Sequence, residues 1–210
     1  VIFAIVVILA NVFDQNVTAL AAGLGVGGVA VALASKESLE NLLGSFTIFL
    51  DKPFQVGDII TIGNITGKVE KVGFRSTRVR TFDKSVVTVP NKNLVIAELD
   101  NLGVRPVRRV KINIGLTYST TVNQIKEIVD DIQKLIDDHE QTNQDGKVRF
   151  LNFGASSLDV MVLYYVNSPD WDVLVDTQQE INFKIIEIVK KHGSDFAFPT
   201  TSVYLENQNK

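Results

Sequence analysis

Apolar and polar positions are arranged in three distinct ways along this chain, and each arrangement predicts a different kind of structure. Residues 1–13 are almost wholly apolar and stop at Asp14-Gln15-Asn16, while residues 19–35 carry no charge at all. At about 1.5 Å per residue the second run makes a helix of roughly 25 Å, close to the ~30 Å hydrocarbon core of a bilayer. No basic region precedes the first run and a polar break divides the two, which excludes a secretory signal. The pattern predicts two membrane helices joined by a tight turn, against the alternative of two core helices in a soluble protein. Beyond Ser35 charges begin, and Leu39, Leu42, Leu43, Phe46 and Leu50 recur at helical spacing. That spacing predicts a second segment over 38–50, lying along the membrane surface with its apolar stripe inward.

From residue 51 the period changes from helical to alternating. Gly57-Asp58, Gly63-Asn64 and Asp83-Lys84 are turn signals between short β-branched runs such as 59–62 and 86–89. Many short strands at this spacing predict a small all-β barrel of SH3-like or Sm-like type over 51–107. From Arg108 the order becomes strand, helix, strand, strand, helix, strand. Residues 110–118 alternate, and Thr121 with Gln124 makes a capping box before Val122, Ile125, Val129, Ile132 and Ile136. Strands follow at 148–153 and 158–166, and a second helix carries Ile181, Ile185, Ile188 and Val189 up to Gly193. This is the succession of an α+β ferredoxin-like domain, over 108–196. The run through Val203-Tyr204-Leu205, within 197–210, reads as a lone terminal strand whose unpaired edges call for a neighbouring copy.

The composition of residues 19–35 sharpens the membrane reading. Six alanines and four glycines make up ten of its 17 residues. Glycine costs about 1 kcal/mol in a water-exposed helix, so close helix–helix approach is the natural reason for it here. Gly25, Gly28 and Ala32 form one smooth stripe, with Ala22 and Ala30 on another face where the stripe of an identical neighbour can nest. The bulkier Val26, Val29 and Leu33 share a third face. In a ring of copies they point at the axis, where a narrow apolar constriction blocks ions by excluding water. Gly23, Gly25 and Gly28 also match G-x-G-x-x-G, but no strand precedes them, which removes the dinucleotide reading.

Charge and chemistry narrow the functions further. Twenty-one basic residues against 24 acidic leave a net charge of −3, and there is no cysteine. Disulfides, thiolate metal sites and cysteine nucleophiles are therefore excluded. Two histidines, His139 and His192, are too few for a histidine-rich metal site, and the pairs Asp130-Asp131 and Asp137-Asp138 fall on the polar side of a helix. No catalytic constellation, metal site or cofactor is expected. Residues 68–92 hold seven Lys/Arg against two acids, with Arg78 and Arg80 on one strand face. An RNA-binding Sm-like barrel with an N-terminal hydrophobic anchor is the alternative function, weakened by the lack of aromatic stacking residues other than Phe74 and Phe82. A positive surface near anionic headgroups is the simpler reading. The chain starts at Val1 without an initiator methionine, as the remainder of a longer protein would.

Residues 23–94 resemble the small-conductance mechanosensitive channel family, MscS. The resemblance rests on the Gly/Ala-rich helix, Ser38-Leu39-Glu40-Asn41-Leu42, Lys52-Pro53-Phe54 with Gly57-Asp58, Gly67-Lys68-Val69, Arg75-Ser76-Thr77-Arg78 and Pro90-Asn91-Lys92-Asn93-Leu94. It extends over most of the chain and weakens after residue 110. It implies a homoheptamer in the bacterial inner membrane, multi-pass, with lipids as its partners, no nucleic acid, and the C-terminal domains in the cytoplasm. The pore helix (19–36) would open under membrane tension and release ions and small solutes during hypo-osmotic shock. The two constricting positions fall on Val29, where leucine is usual, and on Leu33. A hinge is implied around Lys36 and Glu37, where glycine is usual just before Ser38, with Gly44 near a second kink. The ferredoxin-like domain would form the wall of a vestibule, and the terminal strand a barrel between subunits.

Overall fold

The computed structural model describes residues 17–201 together with Ala4, Ile5 and Ile8. The predicted first helix is thus described only at those three residues, and the predicted strand at 203–205 lies outside the described residues. The chain divides into two compact units, one ending at Gly103 and the other beginning at Val104.

In the first unit a single helix, α1 (Val17–Asp51), runs through the position where the sequence predicts separate helices over 19–36 and 38–50. The helix needs no break there, since no proline or glycine stands at 36–38. Glu40 instead lies one turn after Lys36, with 3.9 Å between ammonium and carboxylate. It ends where Lys52 enters the left-handed region (φ 47) just before Pro53, which cannot continue a helix. Strands β1 (Ile59–Ile62), β2 (Ile65–Val72), β3 (Ser76–Thr81) and β4 (Val86–Pro90) follow. After them come a short helix, α2 (Asn91–Ile96), and β5 (Leu99–Asn101). The sheet order is β4-β3-β2-β1-β5, every neighbour antiparallel. Gly63 opens the two-residue turn between β1 and β2 with φ 53, a conformation that glycine adopts without steric cost.

Alternation along β1 and β3 sends Ile60, Ile62, Thr77 and Val79 inward, and Val69 of β2 joins them. This small core also takes in Ile48 from α1 and Leu94 from α2. The face of α1 that packs is Asn41, Gly44 and Ile48, spaced i, i+3, i+7. The predicted stripe Leu39, Leu42, Leu43, Phe46 and Leu50 remains exposed within the subunit. Contact with α2 selects a polar and a small residue, and leaves the apolar stripe for another surface.

The second unit consists of β6 (Arg108–Leu116), α3 (Val122–Asp138), β7 (Lys147–Phe153), β8 (Leu158–Val166) and α4 (Trp171–Lys191). Its antiparallel sheet runs β6-β8-β7, three strands of a ferredoxin-like order. The fourth strand is reduced to a single bridge between Leu116 and Phe196. Central β8 alternates buried and half-buried along its whole length. Ile125, Ile128, Ile132 and Ile136 of α3 and Leu174, Ile181, Ile185 and Val189 of α4 complete the core. Ile128 replaces the expected Val122, which is exposed at the first turn. The capping box is formed: the Thr121 backbone N–H donates to Gln124 Oε1 at 2.8 Å, and Gln124 N–H donates to Thr121 Oγ1 at 3.4 Å.

Candidate pore helix and its seat on the β-domain

Among the described residues the upper part of α1 makes no packing contact that would explain its composition. Every residue from 21 to 39 is exposed within the subunit, with Val29 at 60% and Leu33 at 68%. A methyl group placed on Gly23, Gly25, Gly27 or Gly28 would meet nothing within 4 Å. The smooth stripe of Gly25, Gly28 and Ala32, and Ala22 and Ala30 beside it, therefore have no partner among the described residues. Among the described residues no helix is long and apolar enough to cross a membrane. Residues 21–35, all uncharged, rise about 22 Å before Lys36.

The lower part of α1 is seated by hydrogen bonds from two buried asparagines. Asn41 donates through Nδ2 to the Glu37 carbonyl at 2.9 Å and accepts the backbone N–H of Lys92 on Oδ1 at 3.1 Å. Asn91 is fully buried. Its Nδ2 donates to the Gly73 carbonyl at 2.8 Å, its Oδ1 accepts the Thr77 hydroxyl at 2.8 Å, and its backbone N–H donates to the Arg75 carbonyl at 3.0 Å. A Cβ on Gly44 would lie 3.0 Å from both Asn91 C and Lys92 N, so glycine here lets α1 approach the start of α2. Lys92 Nζ also bonds Glu40. That hydrogen bond is the main reason the Glu40 carboxyl is held below the usual carboxylate range and the Lys92 ammonium above its own. This contact is complete at neutral pH and is lost as acid protonates Glu40.

Two of the motifs picked out in the sequence, Ser38–Leu42 and Pro90–Leu94, are thus each other's partners. Periodicity could not find this, because the contact is made by amides and backbone, not by an apolar stripe. Lys36, Glu37 and Gly44 lie in unbroken helix, and Gly44 is accounted for by packing. Replacing Asn91 with leucine leaves the buried Thr77 hydroxyl without its Oδ1 acceptor and the half-buried Gly73 carbonyl without its Nδ2 donor. The expected loss is roughly 2–4 kcal/mol, read as a lower thermal unfolding temperature of the assembled protein. Unchanged unfolding would mean that the amide contributes nothing.

The basic strand face is partly neutralised. Arg80 pairs with Glu70 and donates to the Lys84 carbonyl at 2.7 Å. Phe74 and Phe82, 83% and 67% exposed, flank β3 at opposite ends, ~25 Å apart along an extended chain. They cannot form one stacking platform for successive bases.

The histidines and carboxylates of the second unit serve its own fold. His192, the C-cap residue of α4, faces Glu127 at 3.1 Å and Asp131 at 2.9 Å, and Lys191 reaches Asp131 at 3.0 Å. Those bonds hold the Asp131 carboxyl below its usual range. Among the described residues no group of histidine and acidic side chains could hold a metal ion.

Comparison with known proteins agrees with this division. Residues 37–103 match the model of the mechanosensitive ion channel β-domain, and residues 110–196 that of the MscS C-terminal domain. An uncharacterized MscS family protein of Aquifex aeolicus is 41% identical over 99% of this chain and 58% of its own length. The small-conductance mechanosensitive channel MscMJ of Methanocaldococcus jannaschii is 42% identical over 92% of this chain and 55% of its own length. The chain thus spans a little over half the length of these curated relatives. Among solved structures, MSL1 of Arabidopsis thaliana superposes with a TM-score of 0.80 at 25% identity, over 91% of this chain and 69% of that one. From its β-domain, its C-terminal α+β domain and the two interlocking motifs that seat its long helix, the chain belongs to the MscS family of mechanosensitive channels.

Proposed function

We propose that this chain is the pore-forming and C-terminal part of a mechanosensitive channel subunit, not an enzyme, that opens under membrane tension and releases ions and small solutes during hypo-osmotic shock. The observation that carries the reading is a glycine- and alanine-rich helix face with no partner among the described residues, continuous with a lower half fixed to the β-domain. Relatives named as mechanosensitive channels support it. In this reading seven copies surround a pore in the bacterial inner membrane of a multi-pass protein, with lipids around them. Residues 19–36 line the pore, Val29 and Leu33 form its constriction, and Ala22, Gly25, Gly28, Ala30 and Ala32 pack one copy against the next. The domains that follow, over 51–107 and 108–196, lie in the cytoplasm, and the terminal strand within 197–210 closes a barrel between copies.

Lateral tension favours whichever state occupies more membrane area. Small residues let the helices slide and tilt past one another, and the apolar ring widens until water enters. Bending around Lys36, Glu37 and Gly44 would then be a departure from the unbroken helix described above. Suction applied to membrane patches carrying the full-length protein tests this. The expected result is a tension-activated current absent from patches without the protein, with a ring-shaped oligomer on extraction. Patches that stay silent up to the tension at which the membrane breaks would sink the proposal.

A further inference from the structure

At the start of the second unit two half-buried arginines stand three residues apart in the chain. Arg105 precedes β6 and Arg108 opens it. Arg108 Nε donates to the Pro169 carbonyl at 2.7 Å, and its guanidinium carbon lies 5.4 Å from the centroid of the Trp171 ring. Both arginines are half-buried. Arg105 Nε is buried and has no hydrogen-bond acceptor among the described residues. Neither arginine forms an ion pair among the described residues. Burial first, and the charge of Arg105 second, hold the Arg108 guanidinium below the ordinary arginine value. Asp170 acts the other way, but its carboxylate is engaged at the N-terminus of α4, accepting the Asp172 N–H at 3.0 Å.

Two like charges drawn partly out of water are costly unless something negative compensates them, and a buried N–H without an acceptor adds to the cost. What is missing is an anionic acceptor. Guanidinium groups present coplanar N–H donors that match the paired oxygens of a carboxylate or phosphate group. The exposed indole of Trp171 supplies a flat wall beside Arg108. We propose that Arg105 and Arg108, with Trp171 alongside, form a binding site for a small oxyanion, a solute carrying a carboxylate or phosphate group. The site belongs to the second unit and does not depend on whether the assembly conducts.

Trp171 is the only tryptophan of this sequence and reports on the site directly. Detergent-purified full-length protein is titrated with sodium phosphate and with sodium glutamate, ionic strength being held constant with chloride. Emission is followed against Trp171→Phe protein as blank. At least one of the two anions gives a saturable change, and which one does so identifies the group recognised. Arg105→Gln and Arg108→Gln each weaken the response by about tenfold or more, Arg108→Lys keeps the charge but loses the fork and falls between, and Arg149→Gln leaves the response unchanged. If Arg108→Gln fails to assemble, Arg105→Gln decides alone. A flat or linear response to both anions overturns the proposal, as does equal affinity in Arg105→Gln. A flat response together with weakened assembly in Arg105→Gln also overturns it, since the missing acceptor would then be a carboxylate of a second copy.

Discussion

Serine in place of Leu33 lowers the tension at which the channel opens, and serine in place of Val29 does the same. A closed apolar constriction resists ions because water inside it has too few hydrogen-bond partners. Exchanging a leucine for a hydroxyl-bearing side chain removes roughly 1.5–3 kcal/mol of the cost of wetting at that position, and each copy in the ring contributes. The effect is therefore large, and leak at rest is the expected extreme, seen as poor growth of cells that make the variant. Pressure ramps on patches measure it, with Val31→Ser as the comparison. Val31 is equally exposed in the subunit but stands about 200° around the helix from Val29. If Val29→Ser and Leu33→Ser gate at the parental tension, these residues do not line the constriction.

Alanine at Gly67 is expected to unfold the β-domain at markedly lower temperature. Gly67 pairs with Thr81 in the β2–β3 ladder. A Cβ at this position would sit 2.3 Å from the Arg80 carbonyl oxygen and 2.9 Å from Val79 Cγ1. The obstructing atom is backbone within a sheet, so the strands must part or twist to admit it. Such overpacking costs about 3 kcal/mol, which for a unit of this size lowers the unfolding temperature by roughly 10 °C or more. Calorimetry of the assembled protein reads this directly. Gly23→Ala is the contrasting case, since a Cβ there meets nothing within 4 Å among the described residues and alanine favours the helix. Equal unfolding temperatures for Gly67→Ala and the parent would show that the sheet adapts freely at this point.

Strong periodic signals carry over into particular elements of the fold. The alternation over 158–166 is β8, and the Thr121–Gln124 pair opens α3 through both reciprocal hydrogen bonds. The turn signals mark the strand ends of the β-domain because glycine, asparagine and aspartate carry their own conformational reasons. What periodicity could not read was contact made by polar atoms. The seat of α1 uses Asn41, Gly44 and Ile48, while the apolar stripe beside it stays uncovered. Asn91 looked like part of a motif, yet its role depends on Gly73, Arg75 and Thr77, one turn and strand start that is distant in sequence and reaches it only in three dimensions. The continuity of α1 was equally hidden, because a change from uncharged to charged composition marks a change of surroundings and need not mark a break in the helix. The fourth ferredoxin-like strand shrinks to one bridge at Phe196, since Pro199 soon follows and lacks the N–H that a ladder requires.

The unbroken course of α1 makes it a lever whose fulcrum is the contact of Gly44 with Asn91 and Lys92. Val29 stands ~22 Å along the rod from that pivot, so a tilt of about 10° carries it sideways by roughly 4 Å, more than the width of a water molecule. On the proposed function, stiffness between the pivot and the tip would let a small rotation at the foot become a change in bore at the top. Softening the rod anywhere between Leu33 and Gly44 would waste that motion.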